Sequence, residues 1–253
     1  MKKKLTGTFI AVLLLVFVVY SQTKESDQSD QSSQLTLTMT PLKSRVLLLE
    51  PIPVKLRIEN KTGTTLPLNK PLVLQRIKLS IEKPNGEVIT PEQTTYFNAR
   101  IGGGTGPLPS GAKIEKKDIL EFNLLKWFDK PGQYLVKAQL QNGDSTLSSD
   151  WMTITVEEPT GDDFEAFQYL RSNVKEPSVI LASSTSVREQ FVEKFPETPY
   201  ADYFRYALAQ WYDGKDNTKA TALYTRLKFN SGFIYAEEVN HNLKKLEGQK
   251  KNN

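Results

Sequence analysis

The stretch WFDKPGQY, Trp127 to Tyr134, decides how the middle of this 253-residue chain is read. Two aromatics, a Pro-Gly turn and a lone tyrosine stand directly before QYLVKAQL. There Tyr134, Val136, Ala138 and Leu140 alternate with polar residues, the period-two pattern of a strand with one buried face. Pro131 and Gly132 turn the chain into that strand.

The same alternation continues on both sides. Downstream, Asn142-Gly143 is a hairpin signal for a turn needing positive φ, and WMTITV follows with Met152, Ile154 and Val156 on one face. Upstream, Leu35, Leu37 and Met39 alternate in LTLTMT, Val54, Leu56 and Ile58 in PVKLRIEN, and Ile77, Leu79 and Ile81 in RIKLSIEK. PNGE, Pro84 to Glu87, is a turn that starts a short partner strand at Val88-Ile89. In GAKIEKKDILEFNL, Leu120, Phe122 and Leu124 share a face with Ile114, but also with Lys116 and Asp118. One continuous strand would mix its faces, so a break or bulge near Lys116 is expected. With strands at this spacing and no helical stretch between them, the expected architecture is an antiparallel two-sheet sandwich over residues 35–158.

Strand, WFDKPGQY, strand, NG turn, strand: this order resembles the immunoglobulin-like and fibronectin-type family from Leu35 to Val156. The resemblance implies that Tyr134 is a corner tyrosine, bonded to nearby backbone at the start of the sixth strand. It also implies that Trp127 and Phe128 plug the open end of the sandwich. The cysteine pair of antibody domains is missing.

NARIGGGTGPLPSG, Asn98 to Gly111, is the most unusual local composition. Amides at Gly102, Gly103 and Gly104 could form an anion nest, yet a phosphate-binding loop needs a Gly-Lys-Ser/Thr ending and a following helix. Pro107 and Pro109 follow instead. The loop is read as a connection between sheets or a partner-binding loop. Loops of some immunoglobulin-like protease inhibitors enter a protease cleft, which gives an alternative function.

After VEEPTGDD the period becomes helical. Residues 159–185 are read as a connecting helix and linker, in which Asp162 and Glu165 form a capping box and Phe164, Phe167 and Leu170 share a face. Residues 186–247 are read as a small domain of helical hairpins. Ser186 and Glu189 open its first helix. Thr198 caps the second, with Pro199 at its first position and Phe204, Leu208 and Trp211 on one face. Ala220, Leu223, Tyr224 and Leu227 line the third, and Ala236, Val239, Leu243 and Leu246 the last. ALAQWYDGKDNTKATALYTRLKF resembles a tetratricopeptide repeat through Ala207, Trp211, Ala220, Tyr224 and Leu227, although its loop is one residue longer and the closing proline is absent. So short an array implies docking on something else, and helix Asp162 to Ser172 against the sandwich is the expected contact. Tyr203, Tyr206 and Tyr212 fall on the less apolar faces and are the candidate contact surface for a partner. Residues 248–253 form a polar tail.

The other end carries MKKKLTGTFIAVLLLVFVVYS. A basic head and an apolar run from Phe9 to Tyr20 make a signal-peptide pattern over residues 1–21, with cleavage after Ser21. The run of twelve residues is short for a spanning helix of roughly twenty, so the alternative is an uncleaved N-terminal anchor facing outside the cytoplasm. Gln22 to Gln34 is polar and is read as a flexible linker. The chain's charge of +4 falls to +1 without Lys2, Lys3 and Lys4, which gives no support for nucleic-acid binding.

The chain has no cysteine and one histidine, His241. Thiol chemistry and disulfides are excluded, and no metal-binding or nucleophile motif is present. Glu157-Glu158 and Asp162-Asp163 sit at the domain joint as solvated acids, and Asp144 alone makes no calcium site. No cofactor is expected. The sequence is therefore read as an exported, non-catalytic protein-binding or scaffold module of a bacterial envelope, secreted or periplasmic. Its partner would be an envelope or extracellular protein or peptide. The remaining alternative is a glycan-active enzyme whose two carboxylates meet in a cleft between domains.

Overall fold

The computed structural model describes residues 35–66, 77–90, 107–120, 124–142, 145–173 and 183–251. The leader, the polar linker, the glycine-rich loop with Gly102, Gly103 and Gly104, and the positions Phe122 and Asp144 lie outside the described residues.

Alternating sequence becomes strand wherever one face can be buried. The strands are β1 (Leu35–Pro41), β2 (Arg45–Leu47), β3 (Ile52–Asn60), β4 (Ile77–Glu82), β5 (Val88–Ile89), β6 (Lys113–Leu120), β7 (Gly132–Asn142), β8 (Ser145–Ser148) and β9 (Met152–Glu157). They form two sheets. One has the order β1-β3-β6, the other β2-β9-β7-β4-β5, with β8 also paired to β7. All pairings are antiparallel except β2 with β9, which run parallel. The chain thus crosses from the first sheet to the second between Pro41 and Arg45. The alternating residues named above in β3, β4, β7 and β9 are all buried, and they join one core cluster with Leu37 and Met39. Each Val, Leu, Ile or Met side chain among them stabilises by roughly 1.5–3 kcal/mol relative to exposure.

The WFDKPGQY stretch turns the chain into β7 around a bonded tyrosine. Tyr134 is fully buried and its hydroxyl donates to the Lys130 carbonyl at 2.8 Å. Its ring lies 5.0 Å from Phe128, and Trp127 and Phe128 are both buried. Gly132 has φ 150°, and a Cβ there would lie 2.6 Å from Pro84 Cγ in the β4–β5 turn. Only glycine fits that approach.

Two local expectations are corrected. β6 pairs with β3 residue for residue from Lys113 to Leu120, so there is no bulge at Lys116. Lys116 and Asp118 keep the inward parity by pairing with each other at 2.8 Å. The strand ends at Leu120, and Leu124 begins one helical turn, α1 (Leu124–Trp127). The short strands β2 and β8 have too few alternating residues to be read from sequence. A buried Asn60, also unforeseen, ties the loops after β3 and before β6. Its side chain donates to the carbonyls of Thr64 and Leu108, both at 2.9 Å.

The helical region follows: α2 (Gly161–Asn173), α3 (Thr185–Lys194), α4 (Ala201–Tyr212), α5 (Asn217–Lys228) and α6 (Ala236–Lys251). Consecutive helices from α3 onward pack against one another. Ser184, not Ser186, caps α3 by accepting from the Val187 amide at 3.3 Å. Thr198 does not cap α4; its hydroxyl donates to the Phe195 carbonyl inside a turn that delays the helix to Ala201. In α2 the buried stripe is Ala166, Phe167 and Leu170, and Phe164 is exposed. In α4 Phe204 and Leu208 are buried as expected, but Trp211 is exposed with the Lys215 ammonium over its ring. Among the described residues no helix is long and apolar enough to cross a membrane.

Candidate functional site

The place where the two regions meet begins as a tight turn. Between β2 and β3, residues Leu47 to Pro51 fold back so that the Glu50 amide donates to the Leu47 carbonyl at 3.0 Å. The Glu50 side chain is buried and closes the same turn. One carboxylate oxygen accepts from the Leu47 amide at 3.0 Å and the other takes the Lys43 ammonium at 2.6 Å. Leu49, also buried, is held at φ 67°, a left-handed conformation that leucine rarely adopts. The turn presents its carbonyls to the helices.

Tyrosines receive them. The Tyr200 hydroxyl donates to the Leu48 carbonyl at 2.8 Å, and that of Tyr203 points at the Pro51 carbonyl at 3.5 Å, a weaker contact. Both phenols are pushed well above their ordinary pKa, first by burial and then by the nearby Glu50 charge. Behind them the Phe191 ring lies at 4.6 Å from Phe204 and 5.3 Å from Phe195, giving α3 and α4 a shared aromatic core. A second point of contact lies on β6. There Asp118 accepts from the Tyr235 hydroxyl at 3.2 Å, and Lys117 pairs with Glu237 at 3.2 Å. Among the described residues, hydrogen bonds across the joint come from the start of α4 and from Tyr235 before α6, and Asp163 of helix α2 lies near Lys43 and Tyr200.

Beside these contacts a cleft of about 450 Å³ stays open between the two regions. Leu42, Lys43, Glu50, Pro53 and Lys117 line it from the β region. Asp202, Tyr203 and the segment Asn230 to Ile234 line it from the helices. Leu42 is 44% exposed and forms an apolar lip. Two carboxylates face the cleft, and every oxygen of both is engaged. Those of Glu50 hold Lys43 and the Leu47 amide. In Asp202, one oxygen takes Arg205 at 2.6 Å and the other Asn230 at 2.7 Å. Arg205, buried, also donates to the Pro196 carbonyl. These acids brace the walls, and Lys117, the remaining charged residue of the lining, pairs with Glu237, so a mixed polar and apolar cleft has its charges paired within the chain. Arg205 was not foreseen; the Asp202–Arg205 spacing of three on one helix face was its signal.

The candidate partner residues are placed as follows. Tyr203 is buried in the joint and also lines the cleft. Tyr206 is half-buried and stacks on Tyr235 at 4.6 Å, inside the same aromatic group. Tyr212 is half-buried at the other end of α4, where its hydroxyl bonds Glu189. The three do not form one patch because the first two serve the joint. Gly102, Gly103 and Gly104 lie outside the described residues. His241 is exposed on α6. Glu157 pairs with Arg45 through a 2.8 Å bond, and burial beside Asp162 raises the pKa of Asp163. Among the described residues no group of three or more His, Asp or Glu could hold a metal ion.

No protein-family model matches the chain, and no curated protein matches it. Among solved structures it is similar to an alkylpurine DNA glycosylase from Pseudomonas fluorescens, at 15% identity and a TM-score of 0.30, over 49% of this chain and 31% of that one. A sporulation control protein from Bacillus subtilis overlaps at 13% identity and 0.33, over 55% of each chain. A CARDB domain from Pyrococcus furiosus overlaps at 11% and 0.28, over 49% of this chain and 88% of that one. This chain thus spans about a third of the glycosylase and about half of the sporulation protein. At such scores these likenesses carry no argument.

Proposed function

We propose that the chain is an exported, non-catalytic protein-binding or scaffold module of the bacterial envelope, and that it holds its partner at the cleft between its β and helical regions. The observation that carries this reading is the state of the cleft walls. Lys43, Glu50, Lys117 and Asp202, the charged residues of the lining, are all paired within the chain, and the apolar groups Leu42 and Pro53 stand among them. General acid–base chemistry needs a carboxyl group free to give or take a proton, whereas protein interfaces favour a neutral, apolar centre.

Finer identities belong to the same proposal. An immunoglobulin-like sandwich is supported by the first strand pairing with one sheet while β2 runs parallel to β9 in the other, and by the corner bond of Tyr134. A tetratricopeptide-like unit is supported by Ala220, Tyr224 and Leu227 packing inward from α5. Export rests on the leader pattern of residues 1–21.

The test uses the immobilised full chain on envelope extract, beside Gly232→Phe. Gly232 lines the cleft, and an added Cβ there meets only Asn230 Oδ1, at an ordinary 3.5 Å, so a side chain can be started at this position without a clash at its Cβ. A partner held by the native chain and lost by the variant is expected. A partner held equally by both would overturn the cleft reading, as would turnover of a glycan by the native chain.

A further inference from the structure

We infer that the turn from Leu47 to Pro51 is a two-state element set by Tyr200: the peptide between Leu48 and Leu49 faces one way while α4 is docked and the other way when it is not. The inference is independent of what the cleft holds.

The turn has a form that its sequence does not favour. The Glu50 amide donates to the Leu47 carbonyl, which makes Leu47 to Glu50 a four-residue β-turn, and Leu49, its third residue, has φ 67°. Positive φ at that position marks a type II turn, where glycine or asparagine is normal. Leucine suits the type I turn, which closes with the same hydrogen bond. The two types differ in ψ of the second residue and φ of the third, and so in the direction of the single peptide between them. A flip of that one peptide would relieve Leu49 and keep the turn closed.

Leu48 is held on its two sides by different elements. Its amide donates to the Glu157 carbonyl of β9 at 3.1 Å, and its carbonyl accepts from the Tyr200 hydroxyl at 2.8 Å. The first bond does not oppose a flip, because the flip turns the carbonyl. The second opposes it directly. The contacts within the turn act elsewhere, since the Glu50 carboxylate engages the Leu47 amide and the Lys43 ammonium.

Two combinations of docking and peptide direction are therefore stable, and two are not. With α4 docked and the peptide flipped, the Tyr200 hydroxyl, in a residue only 1% exposed, would be buried without its acceptor. With α4 away and the peptide unflipped, leucine would keep a left-handed conformation with nothing to offset it. Docked with type II and undocked with type I remain, so one peptide follows the position of a whole helix. The turn also reaches the cleft, because Glu50, its last residue, lines that wall and holds Lys43 there. Whatever parts α4 from the β region flips the peptide, and by reciprocity whatever locks the turn in type II favours docking.

The experiment is nuclear magnetic resonance of the full chain, isotopically labelled at leucine and glycine. In a type II turn the Hα of Leu48 lies beside the amide proton of residue 49. In a type I turn the amide protons of residues 48 and 49 lie together instead. The ratio of these two through-space cross-peaks reads the direction of the peptide. The native chain is expected to show the type II pattern. Tyr200→Phe should move the ratio towards type I by at least about tenfold, the scale of one buried hydrogen bond. Combining Tyr200→Phe with Leu49→Gly should restore type II, because glycine carries no strain at positive φ. A type II pattern kept by Tyr200→Phe alone would overturn the inference, and so would a type I pattern in the combined variant. If Tyr200→Phe fails to fold, the combined variant decides. Folding with a type II turn supports the inference, and failure to fold overturns it, since relief of the strain should have restored the chain.

Discussion

Tyr134 buries its ring and satisfies its hydroxyl in one movement, and both halves matter. Tyr134→Phe keeps the ring beside Phe128 and leaves the Lys130 carbonyl without its donor. The expected loss is about 1–3 kcal/mol, read as a lower midpoint in urea with an unchanged slope. This residue was legible because a tyrosine just after Pro-Gly, opening an alternating strand, has few other uses. Leu49 was not legible. Nothing in LLLEP marks which leucine takes the left-handed conformation, since that follows from Glu50 closing the turn. The conformation costs leucine about 1–2 kcal/mol, which glycine would not lose. Leu48 and Leu49 are similarly buried. Leu49→Gly should therefore destabilise by about 1–2 kcal/mol less than Leu48→Gly, measured by the same urea titration.

Among the elements, β6 shows where periodicity misleads. Lys116 and Asp118 on an apolar face suggested a bulge, because an inward charge is costly in isolation. The structure keeps the strand regular and pairs the charges, with Tyr235 of the helical region reaching Asp118. Sequence reasoning within one strand had no access to a tyrosine 117 residues away. Inward charges also suit an edge strand, which β6 is among the described residues. Asp118→Ala would leave the Lys116 ammonium buried and unpaired, and should cost about 3–5 kcal/mol. Replacing both, as Lys116→Met with Asp118→Leu, should cost far less. Equal losses in thermal unfolding would show that the pair is not coupled. The helices repeat the lesson more mildly. Their inward stripes were legible from spacing, but Trp211 and Phe164 turned outward, because hydrophobic spacing gives a face and not the neighbour that covers it.

At the scale of the molecule, the sequence showed a β region followed by a helical one and could not show how they join. Tyr203 looked like surface because its helix face is polar in composition, and it is buried because the turn of Leu47 to Pro51 meets it. That joint carries a pH signature. Tyr200 and Tyr203 have folded-state pKa values raised above the unfolded value near 10. Below pH 10 their stabilisation is complete. As pH rises further, the unfolded chain releases protons that the folded chain retains, and stability falls. The slope is about 1.4 kcal/mol per pH unit for each tyrosine. Tyr200→Phe with Tyr203→Phe should flatten the loss between pH 10 and 11, followed by chemical denaturation at each pH. An unchanged slope would mean that these phenols do not govern the joint. The bond from Tyr200 to Leu48 spans 152 residues of chain, and this sets an order of events. A contact so distant in sequence forms late, after loop closure has been overcome. Because Tyr200 lies downstream of the Leu47 to Pro51 turn, a growing chain that has emerged only as far as Glu157 holds the β region with its socket empty.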